Sequence, residues 1–330
     1  MSVLVTGAAG FFGSAIVRAL CIAGHDVVAL DRTPQRLAQT RPDTPGDRVR
    51  YLVGDVTNAA DLEPVRFGGV TAIVHAAALS LPDEVTSAST ILDVNVRGTL
   101  NVLSLAAALP SCDRFLLVSS AGVYDLATPG RIQEADATGG RSLYGATKLA
   151  AEILAIRAGE VLGFGVGVVR PSSLWGPGEV DRPTRPFVTP LQRLVECARA
   201  GDPVEPRGLD AAWDWTYVDD AAEGLVRFLA TEMGGRRITL ASGARIRFRD
   251  VVAAVTDVFG LRVASGATVV DGSPDRPGEL TVDALAEATG WRPSTTLVEG
   301  LRRYRRFLED PTSTAGQDGE PGPTTTPAPR

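Results

Sequence analysis

Lysine is nearly missing from this chain: Lys148 is the only one in 330 residues, and every other basic side chain is an arginine. Histidine is scarce too. His25 and His75 are the only two, too few for a histidine-rich metal centre, and no metal is expected. No G-x-S-x-G elbow accompanies His75, which argues against a hydrolase triad. The three cysteines, Cys21, Cys112 and Cys197, are odd in number, far apart and set among apolar neighbours. They fit core positions in a reducing compartment, not a disulfide frame. There is no apolar run long enough to span a bilayer, and MSVLVTGAAG enters a strand and a turn without a basic leader. A cytoplasmic location and no membrane partner are expected. A net charge of −6, with no block of basic residues, argues against a nucleic-acid partner.

What is present is 44% apolar residues in a globular pattern. SVLVT, DVVAL, VRYLV, TAIVH, RFLLVS and FGVGVVR are apolar without polar alternation, as strands are when both faces of a parallel sheet are covered. Helical patterns lie between them, notably over 11–23, 90–108 and 144–162. Strand and helix in alternation predict an α/β fold, a doubly wound parallel sheet of Rossmann type. The organisation reads as a dinucleotide-binding domain over 1–175, then a smaller mixed α/β substrate lobe over 176–308, partly interleaved with the first. Residues 309–330, rich in Pro, Thr and Gly without large apolar side chains, read as a disordered tail.

The solitary lysine stands in LYGATKLAA, one helical turn beyond Tyr144. That spacing stacks phenol and ammonium on one helix face. A cation close by favours the phenolate, which makes Tyr144 a candidate general acid or base. TGAAGFFG follows the first strand and opens the first helix, with Gly7, Gly10 and Gly13 around Phe11 and Phe12. Glycines there let the backbone turn tightly and approach a pyrophosphate, which the helix N-terminus attracts. Asp31 ends the second strand roughly 20 residues on, where a carboxylate accepts both adenine-ribose hydroxyls. It favours NAD over NADP, although Arg32 beside it suits a 2′-phosphate. Asp55 after the third strand, followed by Val56, is placed to meet the adenine edge. HAAA over 75–78 puts Ala76, Ala77 and Ala78 where small side chains let a ligand approach, while His75 reads as a locally bonded packing residue.

TGAAGFFG, Asp31, GDV, HAAA, NVRGT, SSAGVY, YGATK and RPSSLWGP, in this order, resemble the extended short-chain dehydrogenase/reductase family, also called the NAD-dependent epimerase/dehydratase family. WDWTYVDDAAEG and RPGEL…GWRPSTTLVEGL are similar to its second half. The resemblance implies that Tyr144 is the acid/base, that Lys148 holds the nicotinamide ribose and lowers the tyrosine pKa, and that Ser120 hydrogen-bonds the reacting oxygen. It also implies that Asn95 supports the site beside the cofactor, that Pro171 contacts it, and that Ser119 is a strand-end residue. A homodimer through the helices near 90–108 and 144–162 is implied as well.

Departures from the family pattern narrow the substrate. Ala121 and Gly122 stand where dehydratases carry an acidic pair, Trp213 where nucleotide-sugar enzymes carry a diphosphate-clamping arginine, and Ser173 near their usual asparagine. Arg182, Arg185, Arg207 and Arg276 are candidate replacement cations, Arg276 first because RPGE corresponds to a substrate-proximal segment. The expected activity is NAD(P)-dependent hydride transfer on a secondary alcohol or ketone of a sugar, sugar acid or related polyol. The alternatives are a UDP/dTDP-sugar 4-epimerase or 4-ketoreductase and, from another class, a non-catalytic dinucleotide-binding regulatory protein, which would be expected to lack one of Ser120, Tyr144 and Lys148.

Overall fold

The computed structural model describes residues 1–34, 48–80, 87–127, 129–182, 185–272 and 274–310. Beyond 310 the proposed tail lies outside the described residues. The six apolar runs form β1 (Ser2–Thr6), β2 (Asp26–Asp31), β3 (Val49–Val53), β4 (Ala72–His75), β5 (Arg114–Val118) and, after a short β6 (Gly130–Ile132), β7 (Gly165–Pro171). A seventh strand, β11 (Arg237–Leu240), comes from the second half of the chain, and the parallel sheet runs β11-β7-β5-β4-β1-β2-β3.

The unbroken hydrophobicity of the strands has a simple cause. Val3, Val5, Val74 and Leu116 face one layer, with the helices α1 (Phe11–Ile22) and Val218–Leu229. Leu4, Ile73, Phe115 and Leu117 face the other, with the helices Gly98–Ala108 and Leu143–Leu162. Strand order reverses between β1 and β4. Their carboxyl ends therefore open a crevice, the place where such sheets bind ligands.

The helix expected over 90–108 is interrupted. Ala88–Leu92 and Gly98–Ala108 are α-helical, and Asp93–Arg97 between them is a π turn. The wider turn presents Asn95 to the interior, 1% exposed. The helix over 144–162 begins one residue earlier, capped by Ser142 Oγ, which accepts from the Gly145 N–H at 3.0 Å.

The second half both returns to the sheet and builds a lobe of its own. Trp175, Trp213, Trp215, Phe248 and Tyr304 lie in a separate core under the helices Pro190–Ala200, Phe248–Phe259 and Leu297–Glu309. Its three-stranded sheet joins β8 (Ser173–Trp175), β10 (Ala212–Tyr217) and β12 (Arg245–Arg247), and overhangs the crevice.

Candidate active site

The glycine turn is built for close approach. Gly7 has φ +68°, and a Cβ there would lie 2.7 Å from the N and Cα of Ala77. The loops after β1 and β4 thus meet backbone to backbone. Gly10 N-caps α1 without a side-chain cap bond. Gly7, Gly10, Phe11, Phe12 and Gly13 line a cleft of about 850 Å³. It adjoins a cavity of about 190 Å³ lined by Asp31, Arg32, Asp55, Val56, Ala76, Ala77 and Ala78. Gly7, Gly10 and Arg182 line both.

Asp31 Oδ2 accepts from the Ala9 N–H at 3.1 Å and Oδ1 from Thr33 N–H at 3.0 Å. Its carboxylate pins the glycine turn and retains lone pairs for a ligand. Asp55 Oδ1 accepts from Thr57 N–H and Oγ1, each at 2.8 Å, and so shapes the adjacent loop. These features fit a dinucleotide: a turn that only glycine permits, a helix start without a side-chain cap, and an acidic strand end.

Asn95 stands behind the wall. Its Oδ1 accepts from Leu79 N–H at 2.8 Å, and its Nδ2 donates to Leu79 O at 3.0 Å and Thr147 Oγ1 at 3.1 Å. With both ends of the amide engaged, it clamps the loop after β4 to the helix Leu143–Leu162. His75 is fully buried between Thr6 Oγ1, 2.7 Å from Nδ1, and Thr99 Oγ1, 3.1 Å from Nε2. Thr99 Oγ1 donates to Asn95 O, so it accepts from His75 Nε2–H, and Nδ1 is left to accept from Thr6. Burial, then the charge of Lys148, push the His75 pKa down to about 3.

Tyr144, Lys148 and Glu152 occupy successive turns of the helix Leu143–Leu162. Tyr144 lines the cleft with Ser119, Ser120, Lys148 and Pro171. Ser120 Oγ accepts from the Gly122 N–H at 3.0 Å, and the Ser120 side chain hydrogen-bonds the Tyr144 phenol. Burial raises the phenol pKa above its ordinary value, and that bond and the Arg185 charge offset this only in part, so the lowering expected for Tyr144 is not seen. Lys148 is 1% exposed, and burial pulls its own pKa down to about 8 against the Glu152 charge.

Ser173, Trp213 and Arg276 meet at the lobe side of the cleft. Trp215 pairs with Ser173 across β10 and β8, which sets the register of the wall. The Trp213 ring lies 4.5 Å from that of Trp215 and stacks on Phe248 at 6.4 Å, leaving it 6% exposed. The Arg276 guanidinium lies over Trp213 at 5.7 Å, and Nη1 donates to Ser173 Oγ at 3.3 Å. Among the described residues no carboxylate lies within ion-pair distance of Arg276. Arg182 and Arg185 also line the cleft, and Arg185 Nη1 pairs with buried Glu179 at 3.2 Å. Arg207 does not reach it; it pairs with Glu205 on β9 (Val204–Arg207).

The family model described as NAD dependent epimerase/dehydratase family matches residues 3–241. The chain belongs to that family. Among its members, a dTDP-glucose 4,6-dehydratase of Streptomyces antibioticus is 29% identical over 324 residues, covering 94% of this chain and 93% of that protein. Among solved structures, the epimerase Mth375 of Methanothermobacter thermautotrophicus superposes with a TM-score of 0.81 at 26% identity, covering 93% of this chain and 92% of that one. MoeE5 in complex with UDP-glucuronic acid and NAD has a TM-score of 0.76 at 29% identity, with 93% and 99% covered.

Sequence reasoning missed Glu152 and Arg170, which pair beneath the site, and Glu179, which holds Arg185. Two signals were there to be used: Glu152 extends the Tyr144–Lys148 spacing by one more turn, and Arg170 is the only charge in FGVGVVR. It also missed Asp214. That carboxylate accepts from Ser172, Thr216 and Ser242 hydroxyls at 2.7–2.8 Å and from the Gly243 N–H at 2.8 Å, knitting the lobe to the sheet.

Proposed function

We propose that this enzyme interconverts a secondary alcohol and a ketone on a sugar, sugar acid or related polyol, with NAD as the redox partner. The observation that carries this reading is the convergence of Ser120, Tyr144 and Lys148 with the glycine turn in one cleft that ends at Arg276. Gly7, Gly10 and Gly13 would cradle the pyrophosphate, Asp31 the adenine ribose, and Lys148 the nicotinamide ribose. Bound NAD supplies the hydride acceptor. Ser120 Oγ orients the substrate hydroxyl, and Tyr144, in its phenolate form, takes the hydroxyl proton as the carbinol hydrogen leaves as hydride; the reverse steps reduce a ketone. Ala121 and Gly122 place no carboxyl group after Ser120, so dehydration, the activity in the S. antibioticus relative's name, is not part of the reading. Asp31 supports NAD over NADP.

The second reading is a nucleotide-sugar 4-epimerase or 4-ketoreductase, favoured by Arg182, Arg185 and Arg276 in the cleft and by the UDP-glucuronic acid complex of MoeE5. Incubation of the purified protein with NAD and a panel of sugar acids and polyols tests the choice by NADH absorbance. Turnover of a free sugar acid or polyol is expected. Turnover restricted to UDP- or dTDP-sugars rejects the first reading.

The division of labour proposed is cofactor binding by 1–175 and substrate binding by 176–308. A homodimer is proposed through Leu92, Leu100 and Ile153, exposed at 45%, 42% and 57% on neighbouring helices, with light scattering as the check. Among the described residues no helix is long and apolar enough to cross a membrane. The three cysteines are buried and free, which supports a cytoplasmic location.

A further inference from the structure

Beneath the catalytic residues lies a buried ion pair that this reaction does not use. Glu152 is fully buried and Arg170 is 1% exposed; Arg170 Nε donates to Oε1 at 2.9 Å and Nη2 to Oε2 at 2.5 Å. Ser119 Oγ donates to Oε1 at 2.5 Å, and Arg237 Nε stands 3.6 Å from Oε2. Arg170 Nη1 also donates to Tyr124 Oη at 2.9 Å and to Glu134 O at 2.6 Å. Ser119 adjoins Ser120, and Tyr124 closes the turn that Ser120 opens. One carboxylate therefore ties the segment bearing Ser120 to the helix bearing Tyr144 and Lys148. Apolar residues of similar volume often stabilise a core as well as a buried ion pair does, so stability is a weak reason for keeping one here.

We propose that Glu152, held by Arg170, is a positioning residue: it fixes Ser120 against the helix of Tyr144 and Lys148, and supplies the counter-charge that keeps Lys148 an ammonium. This deepens the function proposed above and rests on the role given there to Lys148. The charged and titratable groups around Lys148 are neutral His75 from β4 and Tyr144 and Glu152 from its own helix. Beyond Glu152 stand Arg170 from β7 and Arg237 from β11.

Lys148 is the only lysine in the chain. Full-length protein grown on ε-13C-lysine, without a lysine-bearing tag, therefore has one lysine Cε resonance. Its pH titration reads the ammonium directly, with or without added NAD and without turnover. In Glu152→Gln the midpoint falls by about one pH unit or more, the effect of losing a nearby opposite charge, while Glu152→Asp retains a higher midpoint. A role confined to packing leaves it at the wild-type value. Arg237→Gln, at a half-exposed site, removes a cation facing the same carboxylate and moves the midpoint upward by a smaller amount, which keeps the test open where Glu152→Gln does not fold. An unmoved midpoint in folded Glu152→Gln or in Arg237→Gln overturns the proposal. Shifted midpoints in a protein without NAD-linked turnover would instead overturn the functional reading and leave the electrostatic one standing.

Discussion

Substitution of Gly13 by alanine tests whether the glycine turn is a dinucleotide cradle. A Cβ at Gly13 would lie 2.0 Å from the Gly7 carbonyl oxygen, 2.9 Å from its carbon and 3.1 Å from Ala8 Cα. All three obstacles are backbone, so helix and turn must separate by on the order of 1 Å to restore van der Waals contact. Gly7 cannot recede easily, because the Ala77 backbone is against it and its carbonyl accepts from the Gly10 N–H at 2.9 Å. The helix must move instead, and with it the packing of Ile16, Val17 and Leu20. Overpacking of this kind costs about 1–3 kcal/mol, offset in part by up to ~1 kcal/mol from replacing a helical glycine by alanine. A displaced helix start loses one or two charge-assisted bonds to the pyrophosphate, each worth about 1.5–3 kcal/mol. The NAD dissociation constant should then rise by roughly 10-fold to more than 100-fold, measured by calorimetric titration. Gly68→Ala serves as the control, because its Cβ would meet nothing within 4 Å. A Gly13→Ala protein that binds NAD and melts like Gly68→Ala would refute the cradle.

His75 makes stability depend on acid. Its pKa is about 3 in the folded chain against the ordinary 6.5 of an imidazole. The unfolded chain therefore binds more protons between those values, and stability falls as pH drops through that window, by about 2 kcal/mol at pH 5. His75→Gln should be less stable near pH 7 yet melt with a shallower dependence between pH 6.5 and 4.5; an unchanged slope would contradict the neutral buried ring. Tyr144→Phe should lower kcat by on the order of 10²–10⁴ while leaving NAD affinity within a few-fold, and full retained turnover would remove Tyr144 from the mechanism. Arg276→Met keeps much of the stem over Trp213 but loses the charge. KM for an anionic substrate should rise by about 10- to 100-fold with kcat nearly unchanged, and an equal effect on a neutral polyol would show that Arg276 is merely structural.

The sheet was legible in the sequence because two-sided burial leaves a strand no polar face, so Leu4 and Val5 point to opposite layers and both must be apolar. RITL lacked that signal. It is four residues long, opens on Arg237 directly after Arg236 and pairs only with β7 at the sheet edge, so nothing local assigns it to this sheet rather than to the lobe. What decides the matter is the helix Val218–Leu229 packing on α1, a long-range contact. The π turn was hidden for a related reason, since one extra residue in a helical register changes which side chain faces inward without altering composition. Glu152 and Arg170 are each a charge on a buried element, a signal that the sequence reading passed over. Only the fold shows that they pair.

Trp213 shows how the same limit affects function. By itself, a tryptophan where the family carries a clamping arginine reads as a cation lost. In the folded chain its indole lies beneath the guanidinium of Arg276, whose Nη1 donates to the Ser173 hydroxyl. The positive charge has not been lost; another loop delivers it onto an aromatic face. Nearby, the Arg185 charge is already matched by Glu179, a partner with no exposure to solvent. At the Trp213 wall, then, the Arg276 guanidinium is unmatched by a carboxylate among the described residues. That charge balances one carboxylate more closely than a diphosphate with two charges, which is the physical reason for placing sugar acids ahead of nucleotide sugars among the substrates to be tried.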